Sequence, residues 1–249
     1  MNNIIALWTH PRSISTAFER IMIERKDFQV LHEPFSYYYY VHKDDATIEQ
    51  EFVDSDHPRR YPEIRDYIID KSTQAPVFFK DMCAHCCDPL SEDTSFLSRI
   101  ENTFLIRDPE RAIPSYYAMN QDVTLEEIGL EQLHTIFETV AEISDTPPVV
   151  VDAGDLEENP NATMEAYCKA LEIPFIEEAM TWEEGHQKKW DIWKEWHTDA
   201  AESTGIQKDM EVFEVDTQNS DHLKRLYDHQ FPFYEALYQH RIQPETLLG

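Results

Sequence analysis

The sequence has few basic residues for its length. It contains 21 lysines and arginines against 49 aspartates and glutamates, which gives a formal net charge of −28. A chain of this charge repels nucleic acid and anionic membranes unless it carries a local basic patch. We therefore expect neither a nucleic-acid partner nor a membrane partner. Any pocket for an anion has to be built from a few well-placed arginines and lysines.

Long apolar runs are also missing. No run approaches the roughly 20 residues of a membrane span, and no basic stretch followed by a long apolar one marks a signal peptide at the N-terminus. Three of the four cysteines, Cys83, Cys86 and Cys87, crowd into five positions, and Cys168 stands alone. That spacing is not a disulfide framework. These absences predict a cytoplasmic protein.

The cysteine cluster contains one pattern that invites a metal. Cys83 and Cys86 have C-x-x-C spacing with His85 between them, and both residue types bind zinc. However, no second cysteine or histidine pair follows at the usual spacing. We predict no metal site.

The sequence has no internal repeat, no low-complexity linker and no clear domain boundary, and 41% of its residues are hydrophobic. Five short apolar runs predict strands, at 4–8, 28–32, 76–82, 102–106 and 148–151. Helical spacing separates them, at 14–25, 62–71, 91–100, 110–119, 125–143 and 162–171. A further helix from 223 to 238 is expected to break or kink at Pro232. This alternation predicts one domain over 1–249, a three-layer α/β/α fold with a mainly parallel central sheet and a helix-rich C-terminal part.

The connection between the first strand and the first helix is polar. Pro11 excludes a continuous helix or central strand there. A strand–loop–helix junction points backbone N–H groups and the positive end of the helix dipole at one spot, which suits a phosphate or sulfate. The side chains of Arg12, Ser13, Ser15 and Thr16 add a guanidinium and three hydroxyls. The alternative is an ordinary connection whose serine and threonine only cap the helix.

Charged residues also mark three other predicted strand ends, where ligands gather in open α/β sheets. Pro34 predicts an extended Glu33 with its carboxylate at the end of the second strand. Lys80 lies near the end of the third strand. Arg107 ends the fourth, and Ser115 follows early in the next helix, a combination that suits a second phosphate. Two adjacent anion sites indicate a ligand with two separated phosphate-type groups.

At this point a resemblance becomes specific. The segment 104–117, FLIRDPERAIPSYY, resembles the 3′-phosphate motif of the sulfotransferase family, and 10–16, HPRSIST, resembles its 5′-phosphosulfate loop. The two stand in the family's order, about 95 residues apart, and residues 149–173 also resemble the family. The resemblance implies a P-loop-like nucleotide-binding core. It also implies 3′-phosphoadenosine-5′-phosphosulfate (PAPS) as sulfuryl donor and adenosine 3′,5′-bisphosphate as product.

The resemblance also implies roles for individual residues. The loop formed by Arg12, Ser13, Ile14, Ser15 and Thr16 would hold the 5′-phosphosulfate. Arg107 and Ser115 would hold the 3′-phosphate. Arg12 stands where the family commonly has lysine. Because arginine stays protonated, it would act electrostatically and not as a general acid. Ile14 stands where many relatives have glycine.

Transfer to an alcohol needs a base that takes the hydroxyl proton. Our first choice is Glu33, because Glu33-Pro34-Phe35 resembles the segment that carries the base in carbohydrate sulfotransferases. Its alternative role is an ion pair with Arg12 or Lys80. Lys80 resembles a lysine that stabilises the transferring group. His85 and His32 are rival bases because of the pKa of histidine, and the alternative for His85 is a surface or packed histidine.

The acceptor is less defined. Tyr37 to Tyr40 and the charged loop 42–60 either line an acceptor cleft or pack on the surface. We predict a sulfotransferase acting on a hydroxyl or amine of a soluble small-molecule acceptor. One alternative is a nucleotide-dependent phosphotransferase with a diverged P-loop, although residues 9–16 lack the pattern G-x-x-x-x-G-K-[ST]. The other is a nucleotide-binding module without catalysis. The sequence indicates no oligomeric state.

Overall fold

The computed structural model describes residues 3–42, 54–187, 190, 201–208 and 212–243. Its sheet has five strands: β1 Ile4–Thr9, β2 Gln29–His32, β3 Val77–Met82, β4 Glu101–Ile106 and β5 Val149–Asp152. Their order is β2-β3-β1-β4-β5, and each neighbouring pair is parallel. All five predicted strands and the mainly parallel sheet are confirmed.

Helices surround this sheet. They are α1 Ser15–Arg25, α2 Tyr61–Ser72, α3 Cys87–Glu92, α4 Thr94–Leu97, α5 Pro109–Met119, α6 Leu125–Ile128, α7 Leu130–Ile143, α8 Ala153–Glu158, α9 Pro160–Ala170 and α10 Asp221–Tyr238. Shorter helical turns span Tyr37–His42, Cys83–His85 and Glu177–Met180. None of the helices that the structure describes is both long enough and apolar enough to cross a membrane.

The buried strands have apolar side chains on both faces, as parallel strands between two helical layers require. In β1, Ile4, Ala6 and Trp8 face one core and Ile5 and Leu7 face the other. The first core includes residues of α2, α5, α7 and α10, and the second includes residues of α1, α8 and α9. The predicted three-layer α/β/α fold is confirmed.

The strand order places a crevice at the end of β1. From β1 the chain passes through α1 to the edge strand β2, and from β3 it crosses to β4 on the other side of β1. Connections that diverge to opposite sides of a strand open a crevice at its carboxyl end. The loop that follows β1 lies in this crevice.

Two helix predictions differ from the structure. The expected helix 125–143 divides at Gly129, whose φ of 79° is the left-handed conformation that glycine adopts without penalty. Within the expected helix 91–100, only Thr94–Leu97 is helical beyond the end of α3. The Asp93 side chain accepts a hydrogen bond from the Phe96 amide and so begins a new helix there.

Of the break or kink expected at Pro232, the break is wrong. The last helix runs from Asp221 to Tyr238 with Pro232 inside it. Proline removes one backbone hydrogen bond, but buried Leu226, Tyr234 and Leu237 hold both halves of α10 against the first core. Packing outweighs the local cost.

The tryptophan-rich segment is only partly described. Trp182 and Trp190 are buried. Trp193 and Trp196 lie outside the described residues, as do residues 43–53 of the charged loop.

Candidate active site

The loop after β1 has an unusual backbone. Arg12 and Ile14 have φ values of 59° and 60°, in the left-handed region that costs an L-residue about 1–2 kcal/mol. The Ile14 carbonyl accepts from the amides of Ala17 and Phe18, both at 3.1 Å, and so starts α1. The Ser13 hydroxyl donates to the His10 carbonyl at 2.7 Å. The loop is therefore a tight turn built without glycine.

The residue at the N-cap of α1 decides between the two interpretations of this loop. It is Ile14, and an isoleucine side chain cannot accept a hydrogen bond. An ordinary Ser or Thr N-cap, the alternative interpretation of this connection, is therefore wrong. The first amides of a helix have no partner inside it, and α1 begins in the loop after β1, which is the arrangement that anion sites use.

The two anion motifs meet at this crevice. The Arg12 Nε donates to the Ser115 hydroxyl at 2.8 Å, and the Arg107 Nη1 donates to the Arg12 carbonyl at 2.8 Å. The Arg107 amide also donates to His10 Nε2 at 3.0 Å. Three hydrogen bonds thus connect segments that are 95 or more residues apart in the chain.

Glu157, which the sequence reasoning missed, lies between two arginines of the second motif. Its Oε1 is 3.4 Å from Arg107 Nη2, and its Oε2 accepts from Arg111 Nη1 at 2.9 Å. Glu157 is buried on α8, which follows β5, the neighbour of β4. Arg12, whose carbonyl accepts from Arg107, adds a third guanidinium beside this pair. No sequence signal distinguishes Glu157 among 49 acidic residues.

His10 is the neutral member of this group. The ring is fully buried, and burial followed by the charge of Arg107 lowers its pKa to about 3. Because Nε2 accepts the Arg107 amide, the ring proton belongs on Nδ1.

Glu33 and Lys80 form a buried ion pair on the other side of β1. The Lys80 Nζ donates to Glu33 Oε1, and the Glu33 amide donates to the Lys80 carbonyl at 2.9 Å. Lys80 is opposite Leu7 of β1 and His32 of β2, and Glu33 is the next residue after His32. Of the two ion pairs considered for Glu33, the structure therefore shows the one with Lys80.

The backbone of Glu33 differs from the prediction. The following proline predicts an extended residue, but φ is 41°, in the left-handed region. Tertiary hydrogen bonds impose this turn. The Ser36 amide and hydroxyl both donate to the Glu33 carbonyl, at 3.0 and 2.6 Å, and the Phe35 amide donates to the Asp81 carboxylate at 2.6 Å. A costly backbone at the end of a strand is a common feature of functional sites.

His32, a rival base, is the last residue of β2 and directly precedes Glu33. Its Nδ1 is 2.7 Å from Glu19 Oε2, and its Nε2 is 4.0 Å from Glu33 Oε1. The Trp190 indole donates to the second oxygen of Glu19 at 3.1 Å. Glu19 is completely buried on α1. The sequence carried one signal for this pair, because Glu19 is a charged residue on the apolar face of the helix predicted at 14–25.

His85, the other rival base, has a carboxylate partner. Its Nδ1 is 2.7 Å from Asp81 Oδ1, and both residues are buried. Burial raises the pKa of Asp81, and the His85 contact opposes that effect. A carboxylate on one ring nitrogen orients the other as a proton acceptor. The sequence reasoning missed Asp81, although it lies four positions before His85.

The tyrosine run divides into packing and site residues. The Tyr37 ring stacks on His57 at 3.8 Å and the ring is buried, so it supports the local fold. The rings of Tyr39 and Tyr40 lie 5.4 and 5.3 Å from the His85 ring. The pKa of Tyr40 is raised by burial first and then by nearby groups that include Glu33. The structure thus brings two of the four tyrosines to His85 and Glu33.

Two other segments are structural. Cys83 and Cys86 are buried, none of the four cysteines forms a disulfide, and burial raises the pKa of both buried thiols. Across the described ranges, no group of three or more His, Cys, Asp or Glu residues is placed to hold a metal ion. The Ser203 hydroxyl accepts from the Trp182 indole at 3.2 Å, and Gly205 pairs with Thr181. This turn packs against the 180–182 segment.

Comparison with known proteins shows the family and the fold of the chain. A family model described as a sulfotransferase domain matches residues 2–241. Two Arabidopsis thaliana proteins, branched-chain-amino-acid aminotransferase-like proteins 1 and 2, are each 26% identical over 99% of this chain. The chain spans only 43% of their length. The sulfotransferase domain of the Synechococcus PCC 7002 olefin synthase superposes with a TM-score of 0.53 at 14% identity, covering 91% of this chain and 93% of that one. This last likeness confirms the fold.

Proposed function

We propose, since the chain belongs to the sulfotransferase domain family, that it transfers a sulfuryl group from PAPS to a hydroxyl or amine of a small-molecule acceptor. Family membership supports the sulfotransferase activity; the donor and the acceptor class are our proposal. One observation supports the donor best: Arg12 bonds Ser115 while Arg107 bonds the Arg12 carbonyl. Two linked anion sites fit a ligand with a 5′-phosphosulfate and a 3′-phosphate.

The residues present fit such a donor. The amides at the start of α1 and the hydroxyls of Ser15 and Thr16 would hold the 5′-phosphosulfate, with Arg12 beside it. Arg107 and Ser115 would hold the 3′-phosphate. The buried Arg107 is a strong site for a dianion because guanidinium–phosphate hydrogen bonds gain strength in a low dielectric. The donor supplies the sulfuryl group and an anhydride leaving group.

In the proposed reaction the chain moves one proton and stabilises the transferred charge. Glu33 takes the proton of the acceptor hydroxyl as the acceptor oxygen bonds to sulfur. The bond between that sulfur and the bridging phosphate oxygen breaks in line, and adenosine 3′,5′-bisphosphate leaves. Lys80 and Arg12 stabilise the negative charge of the transferring group and the leaving oxygen. Arg12 gives up no proton.

Glu33 is the proposed base because it directly follows β2 at the carboxyl ends of the strands and its carboxylate pairs with Lys80. The same Lys80 is proposed to stabilise the transferring group. The His85–Asp81 pair is the competing base. The tyrosine rings of 39 and 40 beside it are the proposed acceptor-binding surface, since aromatic faces bind sugar and aryl groups alike.

The donor is tested by calorimetric titration with adenosine 3′,5′-bisphosphate, 5′-AMP, ADP and ATP with magnesium. We expect a strong preference for the bisphosphate that Arg107→Ala abolishes. The exposed Arg99→Ala is the matched control and keeps the preference. A preference for ATP with magnesium would instead indicate a phosphotransferase and contradict the proposal.

The base is tested with two conservative variants once an acceptor is found. Glu33→Gln should lower turnover by about 10²–10⁴-fold while the bisphosphate still binds. His85→Gln should lower it far less. The opposite ranking would transfer the role to His85.

A further inference from the structure

His10 has no part in the proposed mechanism. It lies in the first anion motif and is 0% exposed. Its ring is not among the groups proposed to hold either phosphate. Instead its Nε2 accepts the Arg107 amide, 97 positions away, at 3.0 Å.

Arg107 is thereby held at two points by the loop after β1. Its side chain donates to the Arg12 carbonyl and its amide donates to the His10 ring. This amide belongs to the residue just before Asp108, which is the N-cap of α5. Ser115 lies on α5. The His10 ring therefore fixes the backbone from which the second motif begins.

The ring can do this only while it is neutral. Protonated Nε2 would carry a hydrogen and could not accept the amide. Burial and the positive charge of Arg107 both disfavour the charged form. Its low pKa thus keeps the hydrogen bond intact at every pH at which the protein is expected to work.

The shape of the first motif does not depend on the ring. The Ser13 hydroxyl bonds the His10 backbone carbonyl, and the Ile14 carbonyl accepts the first amides of α1. The first contact uses the backbone of His10 and the others do not involve His10, so none of them needs its side chain. Removal of the ring acceptor should consequently disturb Arg107 more than the loop.

We infer that His10 is a positioning residue that sets Arg107 against the loop after β1 and thereby selects a ligand with a phosphate at both the 3′ and 5′ positions. The inference rests on the proposed function, because it assumes that Arg107 binds the 3′-phosphate. His10 would thus determine the preference for a nucleotide with two phosphates over a nucleotide with one, although it is not among the residues proposed to bind phosphate.

Two isosteric variants test this assignment. His10→Gln places an oxygen near the position of Nε2 and can accept the Arg107 amide, whereas His10→Asn reaches only the position of Nδ1. We measure the affinities for adenosine 3′,5′-bisphosphate and 5′-AMP by calorimetry, and thermal unfolding for each variant. In His10→Asn the bisphosphate should bind about tenfold more weakly, as expected for one lost buried hydrogen bond. Affinity for 5′-AMP should change less than about twofold, and His10→Gln should restore the selectivity.

The outcomes separate the two proposals. If the unchanged protein shows no preference for the bisphosphate, the proposed function is contradicted and this inference with it. If the unchanged protein prefers the bisphosphate but both variants keep that preference, only the role of His10 is overturned. If His10→Asn and His10→Gln lose affinity for both nucleotides equally, the ring is a packing residue and the inference is likewise wrong. Should His10→Asn fail to fold, a His10→Gln variant with full selectivity supports the inference, and one without selectivity refutes it.

Discussion

Ile14 offers a direct test of the loop that forms the first anion motif. Its φ of 60° and ψ of 20° are left-handed, although its side chain is β-branched and partly buried against the second core. The test compares Ile14→Gly with Ile14→Ala. Both variants lose the same isoleucine contacts, so the difference between them reports the backbone alone.

The expected difference follows from two opposing terms. A left-handed backbone costs an alanine about 1–2 kcal/mol and costs glycine nothing. The greater freedom of glycine in the unfolded chain costs about 0.4–1 kcal/mol relative to alanine. The glycine variant should therefore be the more stable by about 0.5–1 kcal/mol. Relative to the unchanged protein, Ile14→Ala should lose about 1 kcal/mol for the contacts of a half-buried side chain.

Urea unfolding followed by tryptophan fluorescence measures this difference, provided that the m-values of the variants agree. Ala17→Gly, one turn into α1, is the matched control. It should be destabilised by about 1 kcal/mol, since glycine is unfavourable inside a helix. An Ile14→Gly variant less stable than Ile14→Ala would refute the left-handed loop.

Three further predictions concern buried charges. Burial raises the pKa of Asp152 from 3.8 to about 6, so the native state binds more protons than the unfolded state between these values. Stability should fall by up to about 3 kcal/mol as the pH rises from 4 to 7, and Asp152→Asn should lack this loss in unfolding titrations at each pH. Glu157→Gln leaves Arg107 without its buried carboxylate and should lower the free energy of unfolding, measured with denaturant, by about 3–5 kcal/mol. Adenosine 3′,5′-bisphosphate should raise the free energy of unfolding of this variant by more than it raises that of the unchanged protein. His32→Asn keeps a hydrogen-bond donor for the Glu19 carboxylate, so its turnover should fall less than about tenfold, and a loss equal to that of Glu33→Gln would make His32 the base.

The sheet could be predicted from the sequence mainly because β1 and β3 are buried on both faces. Such strands are short uninterrupted apolar runs, and the runs at 4–8 and 76–82 need no partner to be identified. Helix boundaries were harder to predict. Gly129 divides a continuous apolar stripe, and a Cβ added at this position would lie 3.5 Å from the Cβ of His10, a proximity that no local pattern reports.

The basic residues of the candidate site could be predicted from the sequence, but the acidic residues that pair with site residues could not. Arg12 and Arg107 follow strand ends and Lys80 lies near the end of β3, positions that topology makes meaningful. Glu157 reaches Arg107 through tertiary contact only, whereas Asp81 lies four positions before its partner His85. The turn at Glu33 shows the same limit: Pro34 favours an extended residue, but hydrogen bonds from Ser36 and Phe35 determine the backbone.

The arginine at position 12, where the resemblance leads one to expect lysine, is consistent with the link between the two motifs. A lysine ammonium is a point charge on a flexible stem, so a bond to Ser115 would draw its whole charge toward α5. The guanidinium of Arg12 donates to Ser115 through Nε, and its rigid fork carries the terminal nitrogens away from that contact. One side chain can then connect the two motifs and still stabilise charge at the first. The same exchange removes any proton donor from position 12, so proton transfer in the proposed reaction depends on Glu33 or on the His85–Asp81 pair.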